Sequence, residues 1–227
     1  MTDITMDFER RQRCGVEEAV FCEGKSATQI DTIIAMAKKE DRRLLLTRLD
    51  QQKFDHLLAD NQQCLMYDPL GRTAVLGDIN IGDSAPLVAI VSGGASDAAV
   101  CREVETTLHY HGINCTRYED VGVAALWRLT QRLDEIKQAK IIIAVAGMEA
   151  ALPTVLSGMI ANPMIAVPTS VGYGVSEGGH LALNACLGSC AAGLTTVNID
   201  NGFGAACAAI KLINQFCPQD RVTEPRA

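Results

Sequence analysis

The chain has 227 residues, 48% hydrophobic and 21% charged, with a formal net charge of -7 at pH 7. That composition supports one large domain, or one ordinary domain with a small companion, and excludes disordered and collagen-like architectures. The acidic balance, with a pI of about 5.1, provides no overall basic surface for nucleic acid or an anionic membrane, so an anionic ligand has to be held by local features.

In chain order, the first segment alternates short apolar and polar blocks. VEEAVFC reads as a strand, 27–39 as a helix, RLLLTRL as a strand, and 50–61 as a second polar helix, with CLMYD and TAVLG following as strands. GDINIGDSAP, with two Gly, two Asp and a Pro, is the expected linker. Beyond it the pattern becomes regular. PLVAIVS, NCTRYEDV, AKIIIAVAG, PMIAVP and LTTVNI read as strands; SDAAVCREVETTLHYH, VAALWRLTQRLDEIK, 148–160, 177–188 and 203–216 read as the intervening and final helices. Apolar strands alternating with helices predict a parallel, doubly wound α/β sheet. The expected division is a small α/β N-terminal domain over 1–80 and an α/β domain over 86–216.

Charge divides the chain in the same way. Residues 141–210 hold no Lys or Arg and only three acids, Glu149, Glu177 and Asp200. A stretch so poor in charge is expected to be buried in a sheet sandwich or an oligomer interface. No apolar run reaches the roughly 18 residues of a membrane span, and MTDITMDFERRQR lacks the apolar stretch of a signal peptide. A cytoplasmic location is the expectation. The nine cysteines are then expected to be reduced thiols, and the absence of any CxxC pair argues against a structural zinc site.

Ligands of open α/β sheets bind outside the carboxyl ends of the strands. Here those ends read SGGASD, EDVG, AGME, PTSVGYG and DNGFG, so Ser92, Ser96, Asp97, Asp120, Glu149, Thr169, Ser170, Tyr173, Asp200 and Asn201 are expected on one rim. The glycines permit close backbone approach, and helix amino termini offer N–H groups to phosphate. SGGASD is neither a Walker A loop nor a dinucleotide fingerprint. Cys190, in the small-residue run GSCAAG, reads either as a nucleophile in a ligand-hugging loop or as one more small hydrophobe, the reading given to Cys101, Cys186 and Cys207 on helix faces. His56, His109, His111 and His180 fall in or just beyond helical stretches, which favours structural or solvent-facing roles.

GASD, DVGV, AVAGMEAALP, AVPTSVGYG and VNIDNGFGAA, with Ser189–Cys190, resemble the LarB family, whose members are pyridinium-3,5-biscarboxylic acid mononucleotide synthases with a catalytic domain like that of PurE, the aminoimidazole ribonucleotide carboxylase. The likeness is close over about 86–210 and looser before it, where EGKS at 23–26 and TR at 47–48 match. It implies a PurE-like catalytic domain of flavodoxin- or Rossmann-like three-layer type, nicotinic acid adenine dinucleotide and CO2 as substrates, and a homo-octamer, with no nucleic-acid or membrane partner. Cys190 takes the role of nucleophile, with Glu149 and Asp97 as acids for proton handling and binding. Ser92, Gly93, Ser96, Gly147, Met148, Thr169, Ser170, Tyr173 and Asn201 are then expected around the substrate. Mg2+ is the expected aid to anhydride cleavage, with Asp120 and Asp200 as candidate ligands that serve equally well as turn or capping residues. No tightly bound organic cofactor is implied.

The resemblance has departures. Trp127 follows DVGVAAL where a His is common, and CGVEEAVFCEGK lacks a usual Pro-Glu, which leaves open a role for Lys25 or Arg48 near phosphate. Two rival readings stand beside it. A PurE-type mutase carries His immediately before Leu-Pro, and this chain has Ala151 there. A non-catalytic nucleotide sensor would use the same glycine-rich rim but would have no use for Cys190.

Overall fold

The structure is a computed structural model that describes residues 4–82 and 84–216. It forms two compact units, Met1–Asn80 and Ile81–Ala227. The linker's Asp83 and the thiol of Cys217 lie outside the described residues.

The first unit contains α1 (Arg10–Cys14), β1 (Ala19–Phe21), α2 (Ala27–Lys39), β2 (Leu44–Thr47), α3 (Gln51–Asp55), α4 (Ala59–Cys64), β3 (Leu65–Asp68) and β4 (Thr73–Leu76). Its four strands form one mixed sheet in the order β1-β2-β4-β3, with only β1 and β2 parallel. Helix α2 starts at Ser26, whose side chain accepts from Gln29 N–H in a reciprocal capping box. Its apolar stripe, Ile30, Ile33, Ile34 and Ala37, is buried with Val20, Leu44 and Leu46 of the sheet. The single helix expected over 50–61 is two. The amino end of α4 has no cap of its own, and the carboxylate of Asp31 in α2 supplies one by accepting from Leu58 N–H and the Asn61 amide. A tertiary contact thus starts a helix where the local sequence shows no punctuation. Helix α1 was not expected.

The second unit contains β5 (Val88–Ser92), α5 (Ala98–Tyr110), β6 (Cys115–Tyr118), α6 (Leu126–Ile136), β7 (Ile141–Ala146), α7 (Ala151–Ser157), β8 (Met164–Pro168), α8 (His180–Leu187), β9 (Leu194–Thr196) and α9 (Gly202–Phe216). All five strands are parallel, in the order β6-β5-β7-β8-β9. This is the parallel, doubly wound sheet expected from the alternating pattern, and its strand order is flavodoxin-like. Strands β5, β7 and β8 are buried at every residue, which accounts for their unbroken apolar runs. Leu129, Ile136, Leu152, Leu156, Ala182 and Cys186 of α6, α7 and α8 cover one face. Helices α5 and α9 pack together on the other, against β5, β7 and β8. The chain leaves β5 for β6 on one side and returns to β7 on the other, so the switch point, where such sheets open a crevice, lies between the carboxyl ends of β5 and β7.

Candidate active site

The turn after β5 and the turn after β7 meet at this switch point. Gly93 N–H donates to Val145 O at 2.9 Å. The turn after β6 presses on the same place: a Cβ on Gly122 would lie 2.5 Å from Gly93 O. Gly147 is tighter still, because its Cβ would lie 2.2 Å from Val171 O in the turn after β8. Only glycine lets these backbones approach so closely. The residues that follow are strained: Met148 and Ala150 have φ of 54° and 47°, values that cost side-chain-bearing residues energy and are held only by the surrounding structure. Met148 N–H donates to Val171 O at 2.7 Å and Ala150 N–H to Gly147 O at 2.8 Å. This turn delays α7 to Ala151, where a helix from 148 was expected.

Asp97 binds the turns together. It is 3% exposed; its Oδ1 accepts from Thr169 Oγ1 at 2.7 Å and its Oδ2 from Gly94 N–H at 3.0 Å, and Gly147 N–H also donates to it. One carboxylate therefore joins the loops after β5, β7 and β8. Burial raises its pKa above the ordinary value and the nearby Asp200 charge adds to that, against the opposing pull of the Thr169, Gly94 and Gly147 donors. Thr169 is itself fully buried. Its hydroxyl is committed to Asp97, so the structure gives it a supporting position where a substrate contact was expected. Ser92 is also fully buried, with its Oγ accepting from Asp120 N–H at 3.4 Å; it too holds a turn. Close by, burial pushes the Cys101 thiol up to about 12, consistent with an inert packing residue.

The other rim residues surround this knot. Ser96, Glu149, Ser170 and Tyr173 are exposed, Tyr173 by 76%. Asn201 caps α9, its Oδ1 accepting from Gly204 N–H at 2.8 Å. Asp200, with φ of 54°, accepts from Ser170 N–H at 2.8 Å, and Asp120 pairs with Arg128 at 2.9 Å. Among the described residues neither aspartate belongs to a trio of closely grouped ligand atoms. Each carboxylate already has a protein partner, Arg128 for Asp120 and the Ser170 amide for Asp200.

Cys190 lies elsewhere. It is exposed, in the loop between the carboxyl end of α8 and the amino end of β9, where Leu194 is in register with Met164, the first residue of β8. Its neighbour Ser189 is tied to the α7 flank by a 2.7 Å hydrogen bond to Thr154 Oγ1. The rim instead lies beyond Pro168 at the other end of β8, about 13 Å along the strand. The structure thus gathers Asp97, Gly93, Gly147 and Thr169, with Glu149, Ser170 and Asp200 around them, while Cys190 belongs to the exposed loop between α8 and β9.

Two groups escaped the sequence reading. His180, read as structural or solvent-facing, is indeed exposed, but its place on the rim was not anticipated: it heads α8 beside Gly179, whose Cβ would lie 2.7 Å from Thr169 O. Glu103, 4% exposed in α5, caps α9 by accepting from Phe203 N–H at 3.2 Å. No local signal announces either contact.

The parallel sheet and its glycine-walled rim define a PurE-like α/β domain. Residues 87–222 match the AIR carboxylase family and residues 1–78 match the LarB/PurE-like N-terminal domain. The chain belongs to the LarB family of PurE-like proteins, a family of carboxylase and mutase type. It is 32% identical over 213 residues to an uncharacterized protein of Methanocaldococcus jannaschii, covering 91% of this chain and 82% of that one. It is 28% identical over 130 residues to the N5-carboxyaminoimidazole ribonucleotide mutase of the same organism, covering 56% and 78%. Among solved structures, Treponema denticola PurE and a substituted second PurE of that organism align at 20% and 22% identity, each with a TM-score of 0.48 over 60% of this chain and 85% of theirs. No helix among the described residues is long and apolar enough to cross a membrane.

Proposed function

We propose that this chain carboxylates the pyridinium ring of nicotinic acid adenine dinucleotide at C5 and hydrolyses the phosphoanhydride, releasing AMP and pyridinium-3,5-biscarboxylic acid mononucleotide. The observation that carries the reading is the pairing of a PurE-like rim having Ala151, not His, at the head of α7 with an exposed thiol at Cys190. A pyridinium ring is too electron-poor to attack CO2. Addition of the Cys190 thiolate turns it into a dihydropyridine whose C5 is nucleophilic. C5 then bonds to CO2, a base removes the C5 proton, and the electron pair of that C–H bond restores the aromatic ring as the C–S bond breaks and the thiolate departs. Cysteine suits this step because it is both a good nucleophile and a good leaving group.

Glu149, exposed beside the strained turn, is the proton acceptor in this reading. Asp97 positions the three turns, and the amides of the glycine-rich loops hold phosphate or carboxylate. Magnesium would neutralise the phosphates during hydrolysis and would enter with the dinucleotide, since Asp120 and Asp200 are engaged elsewhere.

The loop of Cys190 leads into the amino end of β9, and this supports one further element of the reading. The thiol reaches a rim by acting on that of a neighbouring copy, within the homo-octamer that the family resemblance implies. Leu181, Leu187 and Tyr173 lie exposed in the charge-poor half, the kind of apolar surface that subunit contacts cover.

The test is mass spectrometry of products after incubation with nicotinic acid adenine dinucleotide, Mg2+ and 13C-bicarbonate, beside a Cys190→Ala control. A labelled dicarboxylated mononucleotide plus AMP, absent in the control, supports the reading; unchanged dinucleotide with both proteins refutes it. Likeness to the mutase and the rim position of His180 favour one second reading, a PurE-type reaction on aminoimidazole ribonucleotide. Turnover of that substrate, unaffected by Cys190→Ala and lost in His180→Ala, would establish it.

A further inference from the structure

Away from the rim, the fold gathers three ligand-bearing side chains that the proposed chemistry does not use. Glu105 and His109 are four residues apart on α5 and so share one helical face. Cys115 opens β6, the edge strand. Between them Gly112, with φ of 75°, turns the chain, and Gly112 N–H to His109 O at 2.9 Å and Ile113 N–H to Leu108 O at 3.0 Å fix that turn. One ligand atom each from Glu105, His109 and Cys115 lies within 4.8 Å of the others. The Cys115 Sγ to His109 Nε2 distance is 3.5 Å. In a tetrahedral zinc site, the usual Zn–S and Zn–N bond lengths place a sulfur and a nitrogen ligand about 3.5 Å apart.

The carboxylate is also buttressed as metal ligands are. Glu105 Oε1 accepts from Arg117 Nε at 2.9 Å and Oε2 from Arg102 Nη1 at 3.0 Å, and each oxygen keeps a second lone pair. Arg117 has a further partner in Glu119 at 2.5 Å, which offsets its positive charge beside an incoming cation. Hydrogen bonds of this outer kind orient ligating carboxylates.

We propose that Glu105, His109 and Cys115 form a binding site for zinc, or a similar borderline divalent cation, that fastens edge strand β6 to α5. Soft thiolate, imidazole and a single carboxylate select such an ion over Mg2+ or Ca2+. Binding converts the Cys115 thiol to thiolate and releases one proton per metal. Three protein ligands leave a fourth position for water. The sequence shows no CxxC signature because the site is built from Glu-x3-His on a helix and one cysteine on the next strand. The proposal is independent of the function proposed for the rim.

The test uses the full chain, freed of metal by a chelator and titrated with Co2+ and Zn2+. The expected result is one ion per chain by native mass spectrometry and a thiolate-to-cobalt charge-transfer band. Cys115→Ser abolishes the band, His109→Gln weakens binding at least tenfold, and Cys64→Ser and Cys190→Ala change neither. A readout on the unmodified protein covers the case in which a variant misfolds. Zinc X-ray absorption of wild type should fit one sulfur at about 2.3 Å with nitrogen and oxygen completing the shell. No stoichiometric binding, a band that depends on another cysteine, or a shell with no sulfur or several sulfurs overturns the proposal.

Discussion

The turn holding Asp97 and the loop holding Cys190 belong to the same sheet domain but are built in opposite ways. Asp97 is almost wholly buried and accepts from three turns, on a rim where a Cβ at Gly122 or Gly147 would overlap a backbone oxygen. Cys190 is exposed, and Ser189 beside it carries the loop's tie to α7. The contrast is between a rim tied together by buried contacts and a thiol on an exposed loop, and from that difference we propose that another copy supplies the surface on which the thiol acts. It also predicts different consequences for damage at the two places.

The largest effect on activity is expected from Cys190→Ala. Carboxylation should fall roughly 10^3-fold or more, as when a covalent nucleophile is removed. The unfolding midpoint should hardly move, because exposed substitutions usually change stability by no more than about 0.5 kcal/mol. A large loss of stability in urea titration would show that the loop is part of the core and erase the contrast.

Gly147→Ala should reverse that pattern. Its Cβ would sit 2.2 Å from Val171 O, so the turns after β7 and β8 must separate. A destabilisation of about 3 kcal/mol is expected, at the upper end of overpacking costs. A variant as stable as wild type would show that the rim is not tightly specified.

A smaller loss follows from Thr169→Val, which deletes a buried donor to Asp97 while keeping the shape. About 1–2 kcal/mol is expected, and the aspartate should become harder to ionise. Chemical denaturation measures the first effect, and NMR titration of the Asp97 carboxyl measures the second.

The smallest effect is a change of slope. The folded-state pKa of Asp97 is raised, so between the unfolded value and the folded value the native state binds more protons than the unfolded one. This group's contribution to stability is therefore full below the unfolded pKa and declines as pH rises through the folded pKa. Asp97→Asn removes that dependence. Its stability relative to wild type should improve as pH is raised across that window, whatever constant cost the amide incurs beside Gly94 N–H. Parallel free-energy curves for the two proteins would contradict the burial argument.

Much of this contrast could be read in the sequence and some of it could not. Unbroken apolar runs such as IIIAVA and MIAVP read as buried parallel strands because they are buried on both faces. The glycine-rich ends located the rim because close backbone approach leaves glycine few substitutes. What escaped depended on distant partners. Thr169 finds Asp97 72 positions away, and Phe203 finds Glu103 100 positions away. Asp31 caps α4 from α2, dividing a helix that looked continuous. The strained Met148 and Ala150 hold α7 back to Ala151, a delay that no local propensity favours. Cys190 was legible as a candidate from its small-residue surroundings. That its loop leads into the amino end of β9 followed only from strand direction and register.

Subunit complementation tests the central claim most directly. Cys190→Ala and Asp97→Asn chains, each first checked to be inactive alone, would be co-expressed with different tags and the mixed assemblies purified through both. If the thiol of one copy serves the rim of another, the mixed assemblies regain a measurable fraction of wild-type carboxylation, because some rims with an intact Asp97 then meet an intact Cys190. Mixed assemblies as inactive as either parent would contradict the account and place thiol and rim within one chain.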